Sequence, residues 1–358
     1  MKTKIKLGHS VPLSGEEGAH GRAADLAVQL AVRQANERGD LPFELVLVSL
    51  DDEYSEKVGE QVARQFCADP EVFGVVGPFN SVPTQGAGPI FDAAGLVHIC
   101  PAASNPDLSR QGWKTFFRVV ASDDVQGCEA AKCAVHMAHA RRLAVLHDKT
   151  AFGQPLAEIV ADEARQQGAE IVLFEGIDRG QRHFPDTARR ILDANPDLIY
   201  YGLIEAEGSA MAHELRAAGV IAPYMGADGL KPSRYLETPE MEVVGPYYTS
   251  ASANARQRPS AAGFNRAYSE AFPEYAGYSI YTVEAYDAAN LLIDALRRAG
   301  APDRAAILKQ VSEIQGFAGA SGSITFSPTG ERLNPIIDCY VVEKGALRFL
   351  GATTDLLN

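Results

Sequence analysis

Cysteine is sparse in this chain, tryptophan is almost absent, and neither a concentrated basic run nor a long apolar stretch occurs in it. The five cysteines, Cys67, Cys100, Cys128, Cys133 and Cys339, are scattered and odd in number, which excludes a disulfide framework as the basis of the fold. Cys128 and Cys133 fall five residues apart on an expected helix, where their Cα atoms would lie about 8 Å apart, beyond disulfide reach. All five are expected as buried thiols. The one tryptophan, Trp113, is expected to pack beside Phe116 and Phe117 rather than to form a ligand platform. Lys and Arg together number 33 against 46 Asp and Glu, a formal charge of -13. That balance argues against nucleic acid or an anionic membrane as partner. No segment approaches the roughly 20 apolar residues that span a bilayer. Met1-Lys2-Thr3-Lys4 runs straight into a strand-like segment with no apolar leader. A cytosolic protein and an exported one whose signal peptide preceded Lys2 both fit.

What is present is regular alternation. A chain of 358 residues that is 46% hydrophobic can bury a large core, and its length favours two domains. Ile5 to Val11 is followed by a helical stripe at Ala24, Ala27, Val28, Ala31 and Ala35 that stops at Gly39. Phe43 to Leu50, a helix from about Ser55, and Phe73-Gly74-Val75-Val76 continue the pattern. The rhythm restarts at Leu143 to Leu146, with a helix from about Phe152 to Gln167, then Ile171 to Phe174, a helix to Leu192, and Leu198 to Tyr201. Repeated βα units of this kind make parallel sheets covered on both faces, so the fold class is α/β with two doubly wound lobes. Helical patterns return at 261–271 and at 282–298, the latter after Tyr275, Tyr278 and Tyr281. A β-like tail follows at Ser323 to Phe326 and Ile336 to Val342, around a Ser327-Pro328-Thr329-Gly330 turn. No low-complexity linker separates the lobes, which suggests that the chain crosses between them through short hinge strands.

Ligands of open parallel sheets bind beyond the C-terminal strand ends, so the loops there are the candidate site. Gly77 to Gln85 follows one strand, with Ser81 placed as a helix N-cap and Pro83 in the first turn; a serine hydroxyl and free N–H groups suit a carboxylate, although a plain cap has the same pattern. Cys100 to Arg110 follows another. Asn105-Pro106-Asp107 can start a helix, which leaves the Ala102 carbonyl, Ser104 N–H and Ser104 hydroxyl as donor and acceptor side by side, fit for both ends of a zwitterion. In the second lobe, His147 to Gly153 and Tyr224 to Gly229 place Asp228 as a partner for a cation and Phe152 as an apolar wall. A turn aspartate and a helix-capping hydrophobe are the plain alternatives.

Eight stretches in order, Pro12-Leu13-Ser14-Gly15, Asp51-Asp52, Gly77 to Gln85, Pro101-Ala102-Ala103-Ser104, His147-Asp148-Lys149, Tyr200-Tyr201-Gly202, Gly226-Ala227-Asp228-Gly229, and Gly322 to Phe326 with Gly330, resemble the leucine/isoleucine/valine-binding protein family. These are the type I periplasmic solute-binding proteins of ABC transporters. The resemblance implies two parallel-sheet lobes, 1–119 with 251–329 and 120–250 with 330–358, joined by a three-strand hinge that closes on an amino acid. It implies that Ser81 hydroxyl and N–H and Ser104 N–H bind the carboxylate, that Ala102 carbonyl and Ser104 hydroxyl accept from the ammonium, and that Asp228 pairs with the ammonium. The family usually has Glu there; the shorter Asp asks for a bridging water or tighter closure. The implied pocket walls are His20, Phe79, Phe152, Ile204 and Tyr278. Tyrosine is common in the family where His20, Phe152 and Ile204 stand; the lost hydroxyls at Phe152 and Ile204 make this pocket more apolar, His20 adds a polar tip near the entrance, and a branched-chain or aromatic side chain is favoured. The family's small disulfide has no counterpart, Glu53 or Tyr54 and Asn80 standing roughly at its positions.

The function implied is a periplasmic receptor for a small amino acid, monomeric, without cofactor or metal, delivering to the membrane permease of an ABC importer, with no nucleic-acid partner and no membrane insertion of its own. A cytosolic sensor of the same fold, and a receptor for an aromatic carboxylate or a small amide, are the alternatives. An enzyme finds less support, since G-x-G-x-x-G after the first strand, G-x-x-x-x-G-K-[ST] and G-x-S-x-G are all missing. His136 and His139, three apart on an expected helix, could hold a metal but more plausibly line a solvated face. His147-Asp148 has no identifiable nucleophile to complete a triad.

Overall fold

A computed structural model describes residues 2–230, 247–275, 280–343 and 346–357. The chain divides into two compact units, Met1–Ala121 with Ser252–Pro335 and Ser122–Ala251 with Ile336–Asn358, so it passes from one to the other three times.

The first unit opens with β1 (Thr3–Val11), α1 (Gly18–Arg38), β2 (Phe43–Asp51), α2 (Glu56–Ala68), β3 (Val72–Val76), α3 (Ser81–Ala93), β4 (His98–Cys100), α4 (Asp107–Arg110) and β5 (Phe116–Arg118). The strands form a parallel sheet in the order β2-β1-β3-β4-β5, with Leu7 opposite Leu47 and Val76 opposite Ile99. The helical stripe of α1, from Ala24 to Ala35, is fully buried, and small side chains there let the helix lie close to its neighbours. Ser55 caps α2, its side chain accepting from Val58 N–H.

The second unit contains α5 (Asp123–Lys132), β6 (Arg142–His147), α6 (Gly153–Gln166), β7 (Glu170–Gly176), α7 (Pro185–Ala194), β8 (Leu198–Gly202), α8 (Glu205–Ala217), β9 (Tyr224–Gly226) and β10 (Tyr247–Ser250). Period-two alternation sends Leu143 and Val145 to the face covered by Leu156 and Val160 of α6. It sends Ala144 and Leu146 to the face covered by Phe184, Ile191, Met211 and Leu215. Each large apolar side chain so enclosed contributes about 1.5–3 kcal/mol.

The chain then returns to the first unit as α9 (Ala262–Ala271), α10 (Thr282–Ala299), α11 (Arg304–Ser312) and the two-stranded antiparallel pair β11 (Phe317–Gly319) and β12 (Gly322–Ile324). α10 packs on α1. Buried Asp287 on α10 accepts from the N–H groups of Ala320 and Ser321 and thereby holds the β11–β12 turn. Finally β13 (Asp338–Glu343), β14 (Ala346–Ala352) and α12 (Thr353–Leu356) complete the second unit. β13 pairs antiparallel with both β10 and β14, giving the order β14-β13-β10-β9-β8-β6-β7.

Three expectations change. The last boundary falls after Pro335, not at 329/330, because Gly330 carbonyl accepts from Arg118 N–H at 2.9 Å and Arg332 Nη1 donates to the Val119 carbonyl at 2.9 Å. The two histidines do not share a helix. After Lys132 the helix widens into a π-type turn, Cys133–Met137, closed by Ala138 N–H to Cys133 carbonyl; His139 then takes φ 56°, and His136 Nε2 meets Gln167 Oε1 at 2.8 Å. Cys100, Cys133 and Cys339 are buried as expected, whereas Cys67 and Cys128 are partly exposed. Trp113 does pack edge-on to Phe116, 6.3 Å between centroids. Among the described residues no helix is long and apolar enough to cross a membrane.

Candidate functional site

In a parallel sheet the C-terminal ends of the strands share one edge. In the first unit that edge carries the loops after β3 and β4. The β3 loop leaves through Gly77, at φ +98°, where an added Cβ would stand 2.3 Å from the Ser10 carbonyl oxygen; only glycine fits the turn. Asn80 occupies the N-cap position of α3 and Ser81 is the first helical residue, so the helix starts one residue earlier than the sequence suggested. The Asn80 side chain makes no capping bond, Thr84 Oγ1 donates back to the Asn80 carbonyl at 2.7 Å, and Ser81 is not the cap. Its hydroxyl accepts instead from Asn105 N–H at 3.2 Å, which leaves its own proton to donate. That bond joins the β3 loop to the β4 loop. Ser81, Ala102 and Ser104 are 3%, 8% and 1% exposed, and the Asn105–Ser81 bond holds the residue after Ser104 at the start of α3. The first N–H groups of α3 lack a carbonyl four residues earlier, an environment that favours negative charge.

The β4 loop is held from behind. Arg118, at the end of β5, is fully buried; its Nη1 donates to the carbonyls of Ala103 at 3.0 Å and Asn105 at 2.8 Å. Beneath the loop, the Cys100 thiol is pushed up to about 12 by burial, so it is a packing group and not a nucleophile. Phe79 is buried edge-on to Tyr281, 6.1 Å between centroids. His20 stands half-exposed in the first turn of α1. Tyr278 lies outside the described residues.

The second unit presents a separate group at the ends of β6, β8 and β9. Asp228 opens a single 3-10 turn after β9 and is buried; Gln126 Nε2, on α5, donates to its Oδ1. Gly229 allows Phe152 to close in. A Cβ there would lie 2.8 Å from Phe152 Cε1 and 2.9 Å from the Leu203 carbonyl oxygen, so the ring rests on the backbone beside Asp228. Phe152 and Ile204 belong to one apolar cluster with Tyr200 and Ala227. The structure thus gathers Asp228, Phe152 and Ile204. The Tyr200 phenol is held well above its ordinary range, first by burial and then by the Asp123 and Asp228 carboxylates. Asp148 is also shifted upward by burial, against the hydrogen bonds from Thr150. It serves the loop: its Oδ1 accepts from both Thr150 N–H and Thr150 Oγ1.

Sequence reading missed Gln126, Tyr200 and Arg118. Gln126 stood four residues after Ser122 in a helix start, a signal of position but not of partner. Tyr200 was noticed as a strand residue and in the stretch Tyr200-Tyr201-Gly202, but not as a neighbour of the Asp228 carboxylate. Chemically, the first cluster offers donors and one carbonyl to a carboxylate and its neighbours; the second offers a carboxylate framed by apolar walls. Among the described residues no group of three or more His, Cys, Asp and Glu side chains is disposed to hold a metal ion.

The family described as periplasmic binding protein matches residues 4–345. A Leu/Ile/Val-binding protein homolog 1 of Brucella suis is 27% identical over 343 residues, 96% of this chain and 91% of that protein. Among solved structures, the branched-chain amino acid transporter substrate-binding protein LivJ from Streptococcus pneumoniae, in complex with isoleucine, superposes with a TM-score of 0.85 at 21% identity, covering 98% of this chain and 100% of that one. An ABC-transporter solute-binding protein from R. palustris in complex with benzoate gives 0.85 at 17% identity, covering 98% and 96%.

Proposed function

Because the chain belongs to the periplasmic binding protein family, we propose that it is a non-catalytic receptor that captures a small α-amino acid with a branched or aromatic side chain, in the periplasm, for the permease of an ABC importer. One observation carries this reading. A buried carboxylate, Asp228, sits in contact range of the apolar Phe152 and Ile204 group, as the recognition of an ammonium beside an apolar side chain requires. Ser81 and Ser104 supply the complementary carboxylate donors.

A second reading has its own support. Neither Phe152 nor Ile204 carries a hydroxyl, and Asp228 already accepts from Gln126. An aromatic carboxylate would use the same serine donors and leave Asp228 to its glutamine. Calorimetry on protein freed of carried-over ligand separates the two. L-leucine or L-phenylalanine binding, with 4-methylpentanoate and 3-phenylpropionate much weaker, supports the amino-acid reading. Benzoate binding with no response to amino acids supports the second, and no response to any of them refutes both.

A further inference from the structure

The carboxylate loop has a built-in aiming device. All five guanidinium N–H groups of Arg118 are used: Nη1 on the Ala103 and Asn105 carbonyls, Nε on Glu331 Oε2 at 2.8 Å, and Nη2 on Glu331 Oε1 and on Ser109 Oγ at 3.4 Å. In a planar trans peptide the C=O and N–H point in opposite directions. The Ala103 carbonyl and the Ser104 N–H share one peptide. A carbonyl drawn toward Arg118 therefore turns the Ser104 N–H the other way, out of the loop's inner side. The next peptide is fixed in the same manner from the other end, since Asn105 N–H is bonded to Ser81 Oγ. Two consecutive peptide planes are thus set by one arginine and one serine.

Glu331 keeps the fork in register. It grips Arg118 through both oxygens while Gly330 carbonyl takes the Arg118 N–H, so the guanidinium plane and the end of β5 are fixed together. A fully buried charge is a poor choice for stability alone, because apolar replacements of such pairs are often neutral or stabilising. A charge buried with all its donors occupied fits a geometric task.

We infer that Arg118, oriented by Glu331, is a positioning residue of the ligand site: it presets the peptides of residues 103–105 so that the Ser104 N–H is aimed at the ligand carboxylate. The inference rests on the function proposed above for its ligand, but not for its effect on the loop. Two probes are used on R118M/E331L, which removes both charges at once, and on E331Q, which keeps the side-chain shape but replaces one accepting oxygen by an NH2 and loses one charge. The first is amide hydrogen exchange of residues 103–105 against the β1 and β3 strands; the second is calorimetric affinity for L-leucine and benzoate.

In R118M/E331L the loop amides are expected to exchange about tenfold faster, with β1 and β3 unchanged and the melting temperature kept, as the loss of roughly one charge-assisted hydrogen bond per peptide implies. Affinity for whichever probe binds the native protein is expected to fall about tenfold or more, with E331Q in between. Loop exchange and affinity equal to the native protein overturn the inference. If the double variant does not fold, E331Q decides: native-like loop exchange there overturns it as well. If the native protein binds none of L-leucine, L-phenylalanine and benzoate, the proposed function fails while loop exchange still judges Arg118.

Discussion

Replacing Asp228 by Asn tests the ammonium role without dismantling the site. Asp228 is 7% exposed and takes the Gln126 amide on Oδ1. Asparagine retains an oxygen for that bond, so folding loses only the difference between a charged and a neutral acceptor, about 1 kcal/mol. What changes is the other oxygen, now an NH2 that would point donor against donor at a ligand ammonium. Truncating one partner of a buried, hydrogen-bonded charge pair costs about 2–5 kcal/mol. For L-leucine that is a loss of about 30-fold to several thousand-fold in affinity. 4-Methylpentanoate brings no ammonium to Asp228, so the substitution is expected to leave its binding unchanged or to improve it. Titration of both ligands into both proteins at one pH closes a thermodynamic cycle. An equal factor of loss for the two ligands would show that Asp228 acts on the shape of the site and not on the amine.

Ser81→Ala removes the acceptor of Asn105 N–H as well as a ligand donor, and is expected to weaken every carboxylate ligand by about 1–3 kcal/mol in calorimetry; unchanged affinity would reduce Ser81 to a loop tie. Asp52 is pushed up to about 7 by burial, which outweighs the hydrogen bonds from Ser10 and Tyr54. The native state then holds a proton that the unfolded chain releases near pH 4, so stability falls as pH rises from about 4 to about 7. Buried Glu284, also pushed up to about 7, adds to the same slope. Asp52→Asn is expected to flatten the dependence of melting temperature on pH across that window, and an undiminished slope would exclude Asp52 as its source. With an aromatic disulfide reagent at pH 8, Cys67 and Cys128 are expected to react in the native protein, and Cys100, Cys133 and Cys339 only after unfolding in urea; modification of Cys100 first would contradict its burial.

The parallel sheets were legible because buried strands write themselves as short apolar runs and their covering helices as stripes, both local signals. Ile5 to Val11 and Leu143 to Leu146 needed nothing beyond their own neighbours. The position of Ser81 was off by one because both Asn80 and Ser81 suit a cap and residue type does not separate them; Asn80 takes the place without a side-chain capping bond. The histidine pair failed for a similar reason: periodicity cannot register that five residues, Cys133–Met137, change their hydrogen-bond step and end the helix. Cys67 was expected to be buried from its residue type, but on α2 it falls beside the stripe formed by Val62, Ala63 and Phe66 and remains partly exposed.

Arg118 marks the limit of such reading more sharply. Its partner Glu331 is 213 residues away, with no motif to announce either of them. In sequence, Arg118 is one basic residue in Phe116-Phe117-Arg118-Val119, and full burial of an arginine is what residue type argues against most strongly. Only its five hydrogen bonds make that burial intelligible. Gln126 follows eight residues later and does for Asp228 what Arg118 does for Ser104: it fixes the orientation of a group proposed to touch ligand while making no such contact itself. Between the two lies Ala121–Ser122, where the chain leaves its first unit for its second. Both positioning groups therefore flank one crossing, on the last strand before it and the first helix after it. A segment with that double duty resists substitution for reasons that neither apolar periodicity nor a strand-end motif expresses, since its constraint comes from loops distant in sequence that it must hold in shape.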